Sequence, residues 1–238
     1  MTCCDENSII VLAGADAKES KDITCTKMIE LVPFPYLYRY CNRSNIEDFA
    51  KSWTSSNNIS PDKELKFKNN NDMIINNKLQ KLYKIACQYT KYDDAITLHP
   101  IRLSGCILFD DDSIEVSWML KGLEYGCTLD PVSQLVSIMM KFRICGNCKI
   151  NINDDDDDNN NNNVFQFIKK PICIVTCDQY GICHAPHGQA RALLSEHGFN
   201  QLNIMVHNND TGFIEIVTVN ELTPNPSGIS TLSTDSFH

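Results

Sequence analysis

Residues able to hold a metal or move a proton crowd into one short stretch, Cys177, Asp178, Cys183, His184 and His187, with Cys127 and Asp130 upstream. Thiolates, imidazoles and carboxylates are the usual zinc ligands, so Cys127 or Asp130 with His184 and His187 forms a candidate metal set. A thiol beside an imidazole can instead act as a nucleophile, the sulfur attacking while the ring carries protons. On that chemistry Cys127, Asp130 and His187 are the candidate catalytic residues. A plainer alternative stands beside both: Cys127 and Cys177 as small buried hydrophobes, and the histidines in ordinary hydrogen bonds. Cys145-x-x-Cys148 is half of a zinc ribbon with no second pair following at suitable spacing.

These residues need a scaffold, and its elements can be read from apolar spacing. Leu79, Leu82, Tyr83, Ala86 and Cys87 recur at helical spacing from Lys78 onward. Ile101 to Phe109 reads as a buried strand, Asp110-Asp111-Asp112 as a turn, and Ile114 to Trp118 as its hairpin partner. A helix opens at Pro131 behind Thr128 or Asp130 as cap, with Val132, Leu135, Val136, Met139 and Met140 on one face. Ile172 to Thr176 is a short strand ahead of the Cys/His stretch. A second helix follows His187 and stops at Gly198, and Leu202 to Val206 and Phe213 to Val219 are further strands. This order predicts a mixed sheet covered by helices, an α/β layered domain.

The rest of the chain is less regular. Residues 1–77 are expected to be an N-terminal extension, with a polar linker near 52–77. Met28 to Tyr38 has enough apolar and aromatic mass to dock on a core, and its two prolines exclude a helix there. The Asp/Asn run at 153–163 has nothing to bury and reads as a disordered insertion, and 229–238 as a flexible tail.

Composition limits the function classes. The formal net charge of −9 disfavours a nucleic acid as partner, since phosphate contacts need clustered Lys and Arg. No apolar run reaches the roughly 20 residues of a membrane span. Ile9 to Ala15, with acids before it, does not read as a secretory leader, so the twelve cysteines are expected to be reduced thiols in the cytoplasm, or the nucleus.

Four segments, in order, resemble cytidine deaminases. Leu98-His99-Pro100-Ile101 through Leu108 is similar to their first strand, and Tyr125-Gly126-x-Thr128 to the approach to their first zinc helix. Ala185-Pro186-His187-Gly188-Gln189-Ala190-Arg191, running to Glu196-His197-Gly198, is similar to their second zinc helix. Thr218-Val219-Asn220-Glu221-Leu222-x-Pro224 is similar to their closing strand and its exit. The resemblance implies a three-layer cytidine deaminase-like fold over 78–228, with a mixed five-stranded sheet flanked by helices.

It also implies zinc as cofactor, a nucleoside or nucleotide as ligand, and assembly as a homo-oligomer or with a related subunit. That chemistry needs three metal ligands and a glutamate that shuttles protons. The four positions fall here on Asp130, Val132, His187 and Ala190. Asp130 and His187 can ligate; Val132 has no proton to exchange and Ala190 no donor atom. The ribose-holding Asn-x-Glu of the family falls on Met119 and Lys121, leaving Lys121, with His99 at the pocket edge, as candidate substrate-binding residues. The expected function is therefore that of a catalytically inactive binding or structural subunit. The alternative is a hydrolase with a rearranged Cys/His/Asp site.

Overall fold

The computed structural model describes residues 9–13, 23–31, 33–68, 73–123, 127–145 and 165–223. Tyr125, Gly126, Cys148, Pro224, the 153–163 insertion and the 229–238 tail lie outside these residues. In chain order the elements are β1 (Ile9–Ala13), β2 (Ile23–Lys27), α1 (Met28–Leu31), α2 (Ile46–Asn57), α3 (Met73–Tyr89), β3 (Leu103–Phe109) and β4 (Ile114–Trp118). They continue with α4 (Pro131–Lys141), β5 (Arg143–Cys145), β6 (Phe165–Phe167), β7 (Pro171–Asp178), α5 (Gly188–Glu196), β8 (Asn203–His207), β9 (Ile214–Thr218) and α6 (Val219–Leu222).

The central sheet has the order β4-β3-β7-β8-β9. It is mixed: β7 and β8 run parallel, while the other neighbours are antiparallel. Alternation along each strand sends successive side chains to opposite faces. Ile107, Phe109, Ile174, Ile204 and Val206 therefore meet α4 and α5 on one face. Cys106, Leu108, Cys173, Val175 and Met205 meet α3 on the other. Every residue of β3 is buried, as expected of a strand covered on both sides. The expected mixed five-stranded sheet with flanking helices is the observed architecture.

The helical face expected from Leu79 to Cys87 is buried in α3, which starts a turn earlier at Met73. The supposed linker at 52–77 is helical at both ends, because α2 extends to Asn57 and α3 begins at Met73. Between them Phe67 bridges to Ile214, lying along part of the β9 edge. The last strand stops at Thr218, one residue short of expectation. There Thr218 and Glu221 form a reciprocal cap that turns Val219 into the short α6.

The N-terminal extension supplies a further packing unit, and its one turn of helix, α1, lies ahead of Pro33 and Pro35 where no helix was expected. Tyr38, Ile46 and Ala50 are buried against Ile101, Leu103 and Ile182, at the end of the sheet where β7 exits. That end is also where α4 and α5 begin.

Candidate functional site

Two helices open beside one another at this end. Pro131 starts α4, and Asp130 caps it: its Oδ1 accepts from the backbone N–H of Val132 at 2.7 Å and of Ser133 at 3.3 Å. His187 occupies the same position before α5 and makes no side-chain cap bond. The two meet at 3.8 Å, from His187 Nε2 to Asp130 Oδ2. Burial holds the His187 imidazole below its usual range, against the pull of the Asp130 charge. It also pushes the Asp130 carboxyl up, with His187 opposing.

The second acid–imidazole pair is fully enclosed. Asp178 ends β7, and the chain then turns back through Gly181, whose φ of 86° suits glycine. A Cβ there would also lie 2.5 Å from the Tyr83 hydroxyl. Within the turn, Asp178 Oδ1 accepts from the N–H groups of Tyr180 at 2.8 Å and Ile182 at 3.0 Å. Its Oδ2 accepts from the Tyr38 hydroxyl at 2.6 Å and lies 2.9 Å from His184 Nε2. Every face of this carboxylate is thus engaged within the protein.

The segment carrying Tyr38 lies over the histidines, with His184 buried and the His187 side chain 42% exposed. The Tyr36 ring sits 5.1 Å from that of His184 and 5.3 Å from that of His187, and Tyr38 lies 5.4 Å from His184. Burial, with the Asp178 charge adding to it, drives both phenols far above their usual range, so both stay neutral. Arg191 of α5 pins the strap. Its guanidinium donates to the carbonyls of Pro33 at 2.7 Å and Phe34 at 2.9 Å, and also to Pro186 at 2.7 Å and Leu222 at 3.0 Å. Phe34 adopts a φ of 52°, a conformation non-glycine residues seldom take.

The remaining expected site residues are elsewhere or otherwise occupied. Cys127 is exposed. Lys121 does not stand open to a ligand: its ammonium is buried, 2.9 Å from Asp93 Oδ1, and donates to the carbonyl of His99 at 2.9 Å. His99 is exposed, and its Nδ1 accepts from the N–H of Ile101 at 3.2 Å. Cys177 and Cys183 are buried, and burial raises both thiols.

Zinc does not fit this donor set. Val132 and Ala190 are 0% exposed and belong to the hydrocarbon core with Leu135 and Leu194. Among the described residues no three His, Cys, Asp or Glu side chains converge as a metal site. The proposed grouping of Cys127, Asp130, His184 and His187 therefore does not form: Cys127 stays at the surface and His184 is turned onto Asp178. Tyr36, Tyr38 and Arg191 were not candidates from residue type, since none is a ligand or nucleophile at motif spacing. The available signal was the aromatic density of residues 34–38.

The sheet order and paired helix starts define a three-layer α/β domain. In structure the chain is similar to the cytidine deaminase of Bacillus anthracis, at 14% identity and a TM-score of 0.44, over 66% of this chain and 94% of that one. It is also similar to that of Mycobacterium tuberculosis, at 16% identity and 0.41, over 61% and 97%. For that of Mycobacterium leprae the values are 16% and 0.38, over 60% and 98%. No family model and no curated protein matches the chain. No helix among the described residues is long and apolar enough to cross a membrane.

Proposed function

We propose that this chain is a cytidine deaminase-like protein that lacks the zinc deaminase reaction and acts as a binding or structural subunit. The observation that carries this reading is the self-filled site. Tyr36 and Tyr38 lie over His184 and His187, while hydrocarbon side chains, Val132 and Ala190, hold the positions of the proton shuttle and one ligand. A deaminase needs an ionised metal-bound water and a carboxylate to pass protons to the base. Of the four positions that the resemblance assigns, Asp130 and His187 carry donor atoms, while Val132 and Ala190 carry none.

On this reading the partner is a second copy or a related chain, and a nucleoside or nucleotide serves at most as a ligand. Residence in the cytoplasm or nucleus suits the free thiols of the described cysteines. A hydrolase with a rearranged site is the second reading, favoured by the two acid–imidazole pairs, Asp130–His187 and Asp178–His184. Turnover assays with cytidine, deoxycytidine and deoxycytidylate on zinc-supplemented full-length protein separate the two. No turnover above the uncatalysed rate is expected. Turnover that disappears in His187→Ala would establish the hydrolase instead.

A further inference from the structure

On the α3 face of the sheet, away from the two helix N-termini, thiols converge that the proposed function does not use. Cys177 and Cys183 face one another in an isolated antiparallel bridge, with their sulfurs 3.6 Å apart. The backbone bonds flanking them run from Asp178 N to Ile182 O at 3.1 Å and from His184 N to Thr176 O at 2.8 Å. This makes the two cysteines a non-hydrogen-bonded pair. Such pairs bring Cα atoms to about 4.5 Å, with side chains on the same side of the ladder. That spacing falls within the roughly 4.4 to 6.8 Å that a disulfide spans.

Both sulfurs are buried, so a reagent needs an entrance. Cys87, in α3, lies at a surface groove of about 230 Å³ lined also by Pro61, Asp62, Lys84 and Gln88. Cys87 belongs to the same buried cluster as Cys177 and Cys183. The cluster that holds all three cysteines thus reaches the surface groove at Cys87.

We propose that Cys177 and Cys183 form a reversible disulfide, a two-electron oxidation site for hydrogen peroxide admitted at Cys87. The peroxide O–O bond breaks as the Cys87 sulfur takes one oxygen, giving a sulfenic acid and water. The Cys177 sulfur then attacks the Cys87 sulfur, forming the Cys87–Cys177 bond and expelling the second water. Exchange follows: Cys183 attacks Cys177, and Cys87 leaves as a thiolate that regains a proton. In sum two thiols and one peroxide give one disulfide and two waters. The bond closes the turn that presents Asp178 to Tyr38 and His184.

The test uses reduced, folded full-length protein treated with hydrogen peroxide. Free thiols are then blocked in denaturant and the chain is digested with chymotrypsin, whose cleavage after Tyr180 separates the two cysteines. The expected product is a linked peptide pair joining Cys177 to Cys183, short of two hydrogens and released by dithiothreitol. Protein oxidised while unfolded in urea should give a mixture of pairings. Cys87→Ser should form the same link roughly tenfold more slowly. Recovery of Cys177 and Cys183 as separately blocked thiols, or linkage chiefly to other cysteines, would overturn the proposal. An unchanged rate in Cys87→Ser would overturn the entrance.

Discussion

The starts of α4 and α5 face each other across 3.8 Å and are finished in opposite ways. At α4 an acid closes the helix itself, Asp130 accepting from two backbone amides. At α5 the equivalent His187 caps nothing, and the end is covered from outside by Tyr36, on a strap that Arg191 holds. The same pair of positions can thus be spent on local stability or left for another group to cover.

The largest way to break that contrast is to remove the pin. Arg191→Met should orphan the carbonyls of Pro33, Phe34, Pro186 and Leu222 while keeping most of the side-chain volume. A loss of about 3 to 4 kcal/mol is expected in urea unfolding, with faster proteolysis of the strap than of the sheet. A change under about 1 kcal/mol would mean the strap is held by packing alone.

Next in size is a pH effect from the histidine on the opposite face. Burial holds His207 down at about 3, and its Nδ1 accepts from the N–H of Cys183 at 2.8 Å. Its folded pKa lies below the unfolded value of about 6.5, so the unfolded chain binds the proton first. The stabilising contribution is full above about pH 6.5 and is lost as pH falls toward 3. At pH 5 the loss should be about 2 kcal/mol relative to pH 7. Urea midpoints of the native chain and His207→Gln across this range check it: the native chain should fall more steeply, and parallel curves would exclude His207 as the cause.

Tyr38→Phe sharpens the comparison at the strap. It removes the 2.6 Å donor to Asp178 and leaves a buried carboxylate one bond short, at a cost of about 2 kcal/mol. Equal stability by thermal melting would show that the hydroxyl contributes nothing.

The smallest effects compare the two helix starts directly. Asp130→Ala should cost about 1 kcal/mol through the lost cap, and His187→Ala less than about 0.5 kcal/mol. Chemical denaturation of the two variants measures this difference. Equal losses would contradict the asymmetry.

Much of the scaffold could be read from spacing, because burial imposes it. The faces of α3 and α4, the fully buried β3 and the Asp130–Pro131 helix start all carry local signals. The two helix starts could also be placed, since Pro131 and Pro186-His187-Gly188 fix where the helices open. What fills the site could not be located. Residues 34–38 read as a docking segment, but their contacts span 140 to 158 positions in the chain, and nothing local encodes the target. Lys121 misled for a related reason. A lysine reads as solvated or ligand-binding until a partner is seen, and its partner, Asp93, is supplied by the tertiary fold.

The most direct measurement is the zinc content of purified full-length protein after exposure to zinc and removal of loosely bound ion. A site with hydrocarbon at Val132 and Ala190, and with Asp178 engaged by Tyr38 and His184, should retain far less than one zinc per chain. One tightly held zinc per chain, lost in His187→Ala, would contradict the account.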